Sequence, residues 1–202
     1  MGQVILGISM SLDGFVAGPN DGLEHPLGEG GEALFKWYFS GDTEINIPGG
    51  PPLRVSKQSA EVLQAEFQKI GAMVAGRRMF DIAHAWGGNP PGSPCFIMTH
   101  TPPQEWVKVG SPFTFVTDGI ESAIRQAKQA AGDKDVSIAT ASVTQQCLKA
   151  RLLDEIHIGV APVLLGGGVR LFEHIGIEPI ELESIQVVDA PGVTHMAFRV
   201  IK

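Results

Sequence analysis

Residues 136–172 read VSIATASVTQQCLKARLLDEIHIGVAPVLLGGGVRLF, and their periodicity decides the fold. Val136 to Ala139 form a short apolar run, after which Val143, Cys147 and Ala150 recur at helical spacing, with Leu148 and Leu152 widening the same stripe. Ile156, Ile158 and Val160 then alternate with His157 and Gly159, the period-two pattern of a strand. The order predicts strand, tight loop, helix, strand, which is one βαβ crossover. Its loop leaves the carboxyl end of a strand and opens a helix through small residues. Unpaired backbone N–H groups at such a terminus attract phosphate. Ala139, Thr140, Ala141, Ser142, Val143 and Thr144 are therefore candidate anion contacts.

Working outward, Phe113 to Val116 reads as a strand, and Ile120 to Ala131 as an amphipathic helix with Ile120, Ile124 and Ala127 inward, closed by Gly132. Downstream, Gly166-Gly167-Gly168 lacks the strand–loop–helix context of a phosphate loop and is equally a flexible connection. Ile180 to Val188 and Val193 to Ile201 predict an antiparallel hairpin across the Asp189-Ala190-Pro191-Gly192 turn.

In the first half, a hydrophobic run from Val4 to Met10 leads into a long irregular loop at Ser11 to Gly18. Asp13 there either binds substrate or holds the turn. Residues 23–56 are rich in Gly and Pro, with one apolar island at Ala33 to Phe39. Leu34, Trp37 and Tyr38 mark a short helix whose aromatic face reads as core before ligand platform. Gly41 to Pro52 is expected to be an exposed loop, a lid or a dimer contact. Ser56 is a candidate N-cap for a helix carrying Leu63, Phe67 and Ile70 and ended by Gly71. Ala72 to Ala75 predicts a strand, and Gly76 opens the next helix with Arg77 and Arg78. Two arginines at a helix start oppose the macrodipole, which a bound phosphate would explain. Residues 86–94 read as loop and Cys95 to Met98 as a strand. Thr99 and His100 sit at its carboxyl end, where open α/β sheets place ligands.

The 202 residues predict a single domain, 1–202, and 44% apolar with 18% charged residues supports a substantial core. A net charge of −7 without a Lys/Arg block argues against nucleic acid or an anionic membrane surface as partner. No apolar run approaches a membrane span, so a soluble cytoplasmic protein is expected. Cys95 and Cys147 make no disulfide framework. Neither His-Glu-x-x-His nor Cys-x-x-Cys occurs, so no metal site is expected, and no Gly-x-Ser-x-Gly elbow points to a hydrolase.

The succession SLDGFVAG (residues 11–18), GRRMFD (76–81), IMTH (97–100), the βαβ stretch and PVLLGGGVRLF (162–172) resembles the dihydrofolate-reductase-like superfamily, in its branch related to the riboflavin-biosynthesis reductase domain. The resemblance spans nearly the whole chain. It implies a three-layer α/β/α fold with a mostly parallel central sheet and a C-terminal antiparallel hairpin. It further implies an NADPH-dependent reductase of a pterin-like, pyrimidine or ribosylaminopyrimidine small molecule, in a homodimer. On this resemblance Val16 and Ala17 face the nicotinamide, while Gly76, Arg77, Arg78, Thr99 and His100 approach the cofactor's phosphates and adenosine. Glu32 matches the pterin-binding carboxylate of dihydrofolate reductases, with Glu24, Glu29 and Glu44 as rivals, and Asp13 is the second candidate catalytic residue. The deaminase signature that accompanies this reductase in bifunctional relatives does not occur here. Relatives carry a Gly-Gly pair where this chain has Ala139-Thr140-Ala141. That departure supports an alternative, a non-catalytic nucleotide- or ligand-binding homodimer on the same fold.

Overall fold

The computed structural model describes residues 2–47 and 50–202. Along the chain, β1 (Val4–Ser11) and β2 (Phe15–Ala17) precede a 3-10 helix (Gly31–Phe39), and β3 (Thr43–Ile45) and β4 (Leu53–Val55) follow it. Next come α1 (Lys57–Lys69), β5 (Ile70–Gly76), α2 (Arg77–Ile82), β6 (Cys95–Met98), β7 (Phe113–Val116) and α3 (Ile120–Ala131). The chain ends with β8 (Asp135–Ile138), α4 (Ala141–Lys149), β9 (Glu155–Ala161), β10 (Val169–Arg170), β11 (Leu182–Ala190) and β12 (Val193–Val200).

An eight-stranded sheet runs β11-β12-β9-β1-β8-β5-β6-β7. The strands from β9 to β7 pair in parallel, and the C-terminal hairpin adds its two strands antiparallel at the β9 edge. The crossover expected between β8 and β9 forms, but β1 lies between the two strands.

Residue parity sorts the layers, because alternate side chains of a strand point to opposite faces. Val4, Leu6, Ala72, Val74, Val136 and Ile138 pack with the buried stripes of α3 and α4, including Ile124, Ala127, Val143 and Cys147. On the other face Met73 and Ala75 meet Phe80 of α2, while Trp37, Leu53, Val55, Ala60 and Leu63 join the 3-10 helix to the small hairpin and α1. Each fully buried aliphatic side chain contributes about 1.5–3 kcal/mol, which makes these stripes the main source of cohesion. The result is the expected three-layer α/β/α arrangement with a mostly parallel sheet.

Several local expectations need correction. Ile70 is not the last apolar residue of α1. It takes an extended conformation, with φ −71° and ψ 127°, and pairs with Asp135 as the first residue of β5. Gly71 serves close packing instead of ending a helix, since a Cβ there would lie 2.6 Å from the Lys134 Cβ. The supposed loop at Gly41 to Pro52 contains one strand of a hairpin, in which Ile45 and Leu53 are buried partners. Pro48 and Gly49, which belong to that expected loop, lie outside the described residues. Residues 84–88 form a short turn in which His84, Ala85 and Trp86 all have positive φ. Each such residue costs roughly 1 kcal/mol, offset here by the burial of Ala85 and the packing of Trp86 on Phe113. Among the described residues no helix is long and apolar enough to cross a membrane, and no group of three or more His, Cys, Asp or Glu could hold a metal ion.

Candidate active site

Because β5 and β8 are parallel neighbours, the helices that follow them begin side by side at the carboxyl edge of the sheet. Gly76 precedes α2 and Thr140 precedes α4. A Cβ on Gly76 would stand 3.3 Å from Ser142 Oγ and 3.7 Å from both Thr140 Oγ1 and Val143 Cγ2. The missing side chain therefore keeps the seam between the helices open. Two cavities meet there. One, of about 340 Å³, is largely apolar and is lined by Val16, Ala17, Phe35, Tyr38, Ala139 and Thr140, among others. The other, of about 470 Å³, is lined by Arg77, Thr99, His100, Thr101, Val143 and neighbours. Gly76, Arg78 and Ser142 border both.

The first loop reaches the apolar cavity because the glycine triplet braces it. Val169 pairs with Ala17 across the β10–β2 ribbon. Gly168 has φ 121°, and a Cβ there would come 2.1 Å from the Ala17 carbonyl oxygen. Asp13 holds the same contact from the other side. Its carboxylate accepts the Leu165 N–H at 3.1 Å, the Gly166 N–H at 2.7 Å and the Ser11 hydroxyl at 2.6 Å. These donors, Ser11 foremost, lower its pKa from 3.8 to about 2. Asp13 is thus a loop brace and does not border the cavity. Glu32 is exposed on the first turn of the 3-10 helix and is also outside the lining. Thr144 is fully buried and donates its hydroxyl to the Thr140 carbonyl at 2.8 Å, which turns it away from both cavities.

Both arginines are present at the seam, each held by a carboxylate. Arg77 Nε donates to both oxygens of Asp81, at 2.8 and 2.9 Å, and its Nη1 to the Thr101 carbonyl at 2.6 Å. Arg78 donates from Nε to Asp21 Oδ2 at 2.8 Å and pairs through Nη2 with Oδ1 at 2.8 Å. The Arg78 side chain is 63% exposed, so phosphate oxygens can compete with Asp21 for it.

Ala139-Thr140-Ala141 does not impose the barrier that loss of a glycine pair suggests. Thr140 has φ −132° and ψ 141°, an extended conformation open to any residue, and neither alanine has positive φ. The Thr140 hydroxyl makes no capping bond, and its Oγ1 is buried without a hydrogen-bond partner among the described residues. Such a group costs about 1–3 kcal/mol, a debt that an anionic ligand oxygen in the seam would cancel. The two cavities that border Gly76 and the unpaired Thr140 hydroxyl beside it fit a dinucleotide phosphate.

Phe35, Tyr38, Asp21 and Leu27 also border the apolar cavity, although the sequence reading did not assign them to it. The signal existed at Phe35 and Tyr38. In a 3-10 helix residues three apart eclipse, so these two rings stack at 5.7 Å and face the same way, whereas Trp37 turns into the core. The loop carrying Asp21 and Leu27 folds on itself through Gly18 N–H to the Leu27 carbonyl and Glu29 N–H to the Pro19 carbonyl, both 2.8 Å.

A parallel sheet with a bipartite cleft at its strand ends, roofed by the loop after the first strand, defines an α/β protein of the dihydrofolate-reductase-like class. Comparison with family models carries this further: residues 3–193 match the RibD C-terminal domain, and the chain belongs to that family. The crystal structure of a putative riboflavin biosynthesis protein from Shewanella sp. PV-4 superposes at TM-score 0.71 and 22% identity, covering 100% of both chains. RibD from Acinetobacter baumannii gives TM-score 0.64 at 16% identity, over 100% of this chain and 59% of that one. Dihydrofolate reductase from Enterococcus faecalis, complexed with NADP(H), gives 0.57 at 11%, over 98% of this chain and 97% of that one. These likenesses establish the fold. A search of curated proteins found no match.

Proposed function

We propose that the protein is an NADPH-dependent reductase of a planar heterocyclic small molecule, of the pterin, pyrimidine or ribosylaminopyrimidine type. The observation that carries this reading is the meeting of an apolar, aromatic cavity with a polar, arginine-bearing one at Gly76, Arg78 and Ser142. Family membership and the neighbouring reductase folds support it. Bound NADPH would supply the hydride. Gly76 and the α4 N-terminus would accommodate the diphosphate, with the Thr140 hydroxyl as donor. Arg77, Arg78, Thr99 and His100 would take the adenosine side and its 2′-phosphate. Val16 and Ala17 would hold the nicotinamide flat against the substrate, while Phe35 and Tyr38 would stack on the heterocycle and exclude water. Orientation and water exclusion are most of what hydride transfer asks of a protein.

A second reading, ligand binding without turnover, is favoured by one observation: both arginines already have carboxylate partners, Asp81 and Asp21. Titration with NADPH, NADH and FMN, following tryptophan fluorescence and melting temperature, tests the binding step. NADPH oxidation with dihydrofolate or a ribosylaminopyrimidine then separates the readings. The reductase reading expects saturable NADPH binding and turnover, and binding without turnover favours the alternative. A homodimer is part of the proposal, supported by the exposed Leu182, Ile185 and Val187 on edge strand β11. Free buried thiols at Cys95 and Cys147 suit a reducing cytoplasm.

A further inference from the structure

Behind the floor of the apolar cavity lies a smaller chamber of about 100 Å³. Gly7, Ile8, Ser9 and Tyr38 line both spaces, so only that wall separates them. The chamber's lining is mostly apolar, but titratable side chains border it. Glu66 enters it from α1, His157 from β9 and His195 from β12. His157 Nδ1 is 2.8 Å from Glu66 Oε1, and its Nε2 is 3.0 Å from Glu155 Oε2. His195 Nε2 is 2.9 Å from Ser59 Oγ. Ser9 Oγ and Trp37 Nε1 are buried without partners among the described residues, on side chains only 2% and 3% exposed. The Tyr38 phenol lies beside Ser9 but forms no well-aligned bond to it.

Unpaired buried donors beside a cavity bordered by Glu66, His157 and His195 call for ordered water, and one water needs only about 10–15 Å³ of such space. A chamber of this size holds several. We propose that it is a proton path, in which ordered water carries a proton from the His157–Glu66 pair to the hydroxyls of Ser9 and Tyr38 at the floor of the substrate cavity. The inference rests on the reductase reading. Reduction of a C=N or C=O bond by the nicotinamide's hydride places the former π pair on the heteroatom, which takes a proton from the Ser9 or Tyr38 hydroxyl. That hydroxyl recovers one from chamber water, the water from the Glu66 carboxyl, Glu66 from His157 Nδ1, and His157 from bulk solvent through Glu155 at Nε2. The protein ends unchanged, and the substrate gains one hydride and one proton.

The electrostatics agree. Burial works against charge on His157, but hydrogen bonds and charge from Glu66 and Glu155 prevail and raise its pKa above 6.5. Burial raises the Tyr38 phenol, and the charge of Glu66 adds to this against the hydrogen-bonding influence of Ser9. Burial lowers His195, with Glu66 opposing. Lys69 borders the same side of Glu66 and His157. Glu66 is thus the charge that His157, His195 and Tyr38 all sense.

The test uses the full chain and the near-isosteric variants Glu66→Gln, His157→Gln, Ser9→Ala and Tyr38→Phe. NADPH affinity, single-turnover NADPH oxidation with dihydrofolate or a ribosylaminopyrimidine, and its pH profile are measured for each. Glu66→Gln and Ser9→Ala are expected to bind NADPH as the wild type does, to lose about 10²-fold in rate and to lose the alkaline limb of the profile. Their double variant should lose little more than either alone. A readout independent of turnover is a crystal structure that resolves water: ordered solvent is expected within hydrogen-bond reach of Ser9 Oγ and Trp37 Nε1. A dry chamber overturns the path whatever the activity. Wild-type rates and pH profiles in the variants overturn it while leaving the reductase reading intact. Wild-type protein that neither binds nor oxidises NADPH removes that reading and the path together, even with water in the chamber.

Discussion

At Thr140 a side chain that could cap a helix does not, and its hydroxyl stays buried beside the seam with no partner among the described residues. Thr140→Val preserves shape and removes that group. Folding stability measured by denaturant titration should stay within about 1 kcal/mol of wild type or rise. NADPH should bind roughly 10- to 100-fold more weakly by fluorescence, the value of one hydrogen bond to a charged partner. Two glycines make a sharper contrast. Gly76→Ala leaves an ordinary backbone conformation and pushes a methyl group toward Ser142, so it should spare the melting temperature and weaken cofactor binding about tenfold. Gly168→Ala combines φ 121° with a 2.1 Å approach to the Ala17 carbonyl and should cost at least about 1–3 kcal/mol in the same titration. The sequence could show that a residue was small at each position, but not which demand the smallness met. A threonine's free hydroxyl and a glycine's packing neighbour are set by strands from distant parts of the chain.

Among the elements, α1 carries the clearest agreement between sequence and structure. Ser56 was legible as its N-cap, and its hydroxyl accepts the Ser59 N–H at 3.2 Å. What was not legible is the attachment of α1 to the sheet through Glu66 and His157, residues 91 apart in sequence. The 3-10 geometry of the aromatic island was equally hidden, because residues three apart are neighbours at an α-helical period too, so the spacing of Leu34 from Trp37 and of Phe35 from Tyr38 does not tell the two helices apart. The His157 attachment has a pH signature. Its folded pKa lies above the unfolded 6.5, so its contribution is fully present below about 6.5 and is lost as pH rises through the folded value. His195, with a depressed folded pKa, acts in the opposite sense as pH falls through 6.5. The difference between wild type and His157→Gln isolates the first effect. In denaturant titrations it should shrink as pH rises above about 6.5, and a difference that grows would reverse the assignment.

For the whole molecule, the βαβ crossover and C-terminal hairpin were readable from hydrophobic periodicity and the mostly parallel sheet from the family resemblance, yet the strand order was not, since nothing local in residues 136–161 announces that β1 inserts between β8 and β9. One edge of that sheet is β11, where Val187 is 57% exposed and Ile185 occupies a bulge between Ser184 and Gln186. For the proposed homodimer, Val187→Lys should shift sedimentation equilibrium to monomer without lowering the melting temperature, and a monomeric wild type would refute the dimer. The central place of β1 bears on biosynthesis. Val4 N–H donates to Asp154 across 150 residues, and the register of β1 with β9 extends to Ala161. β1 therefore waits, unpaired and apolar, until its partners β8 and β9 have been translated. Folding of this kind is slow, and the nascent chain is a natural client for holding chaperones during that interval.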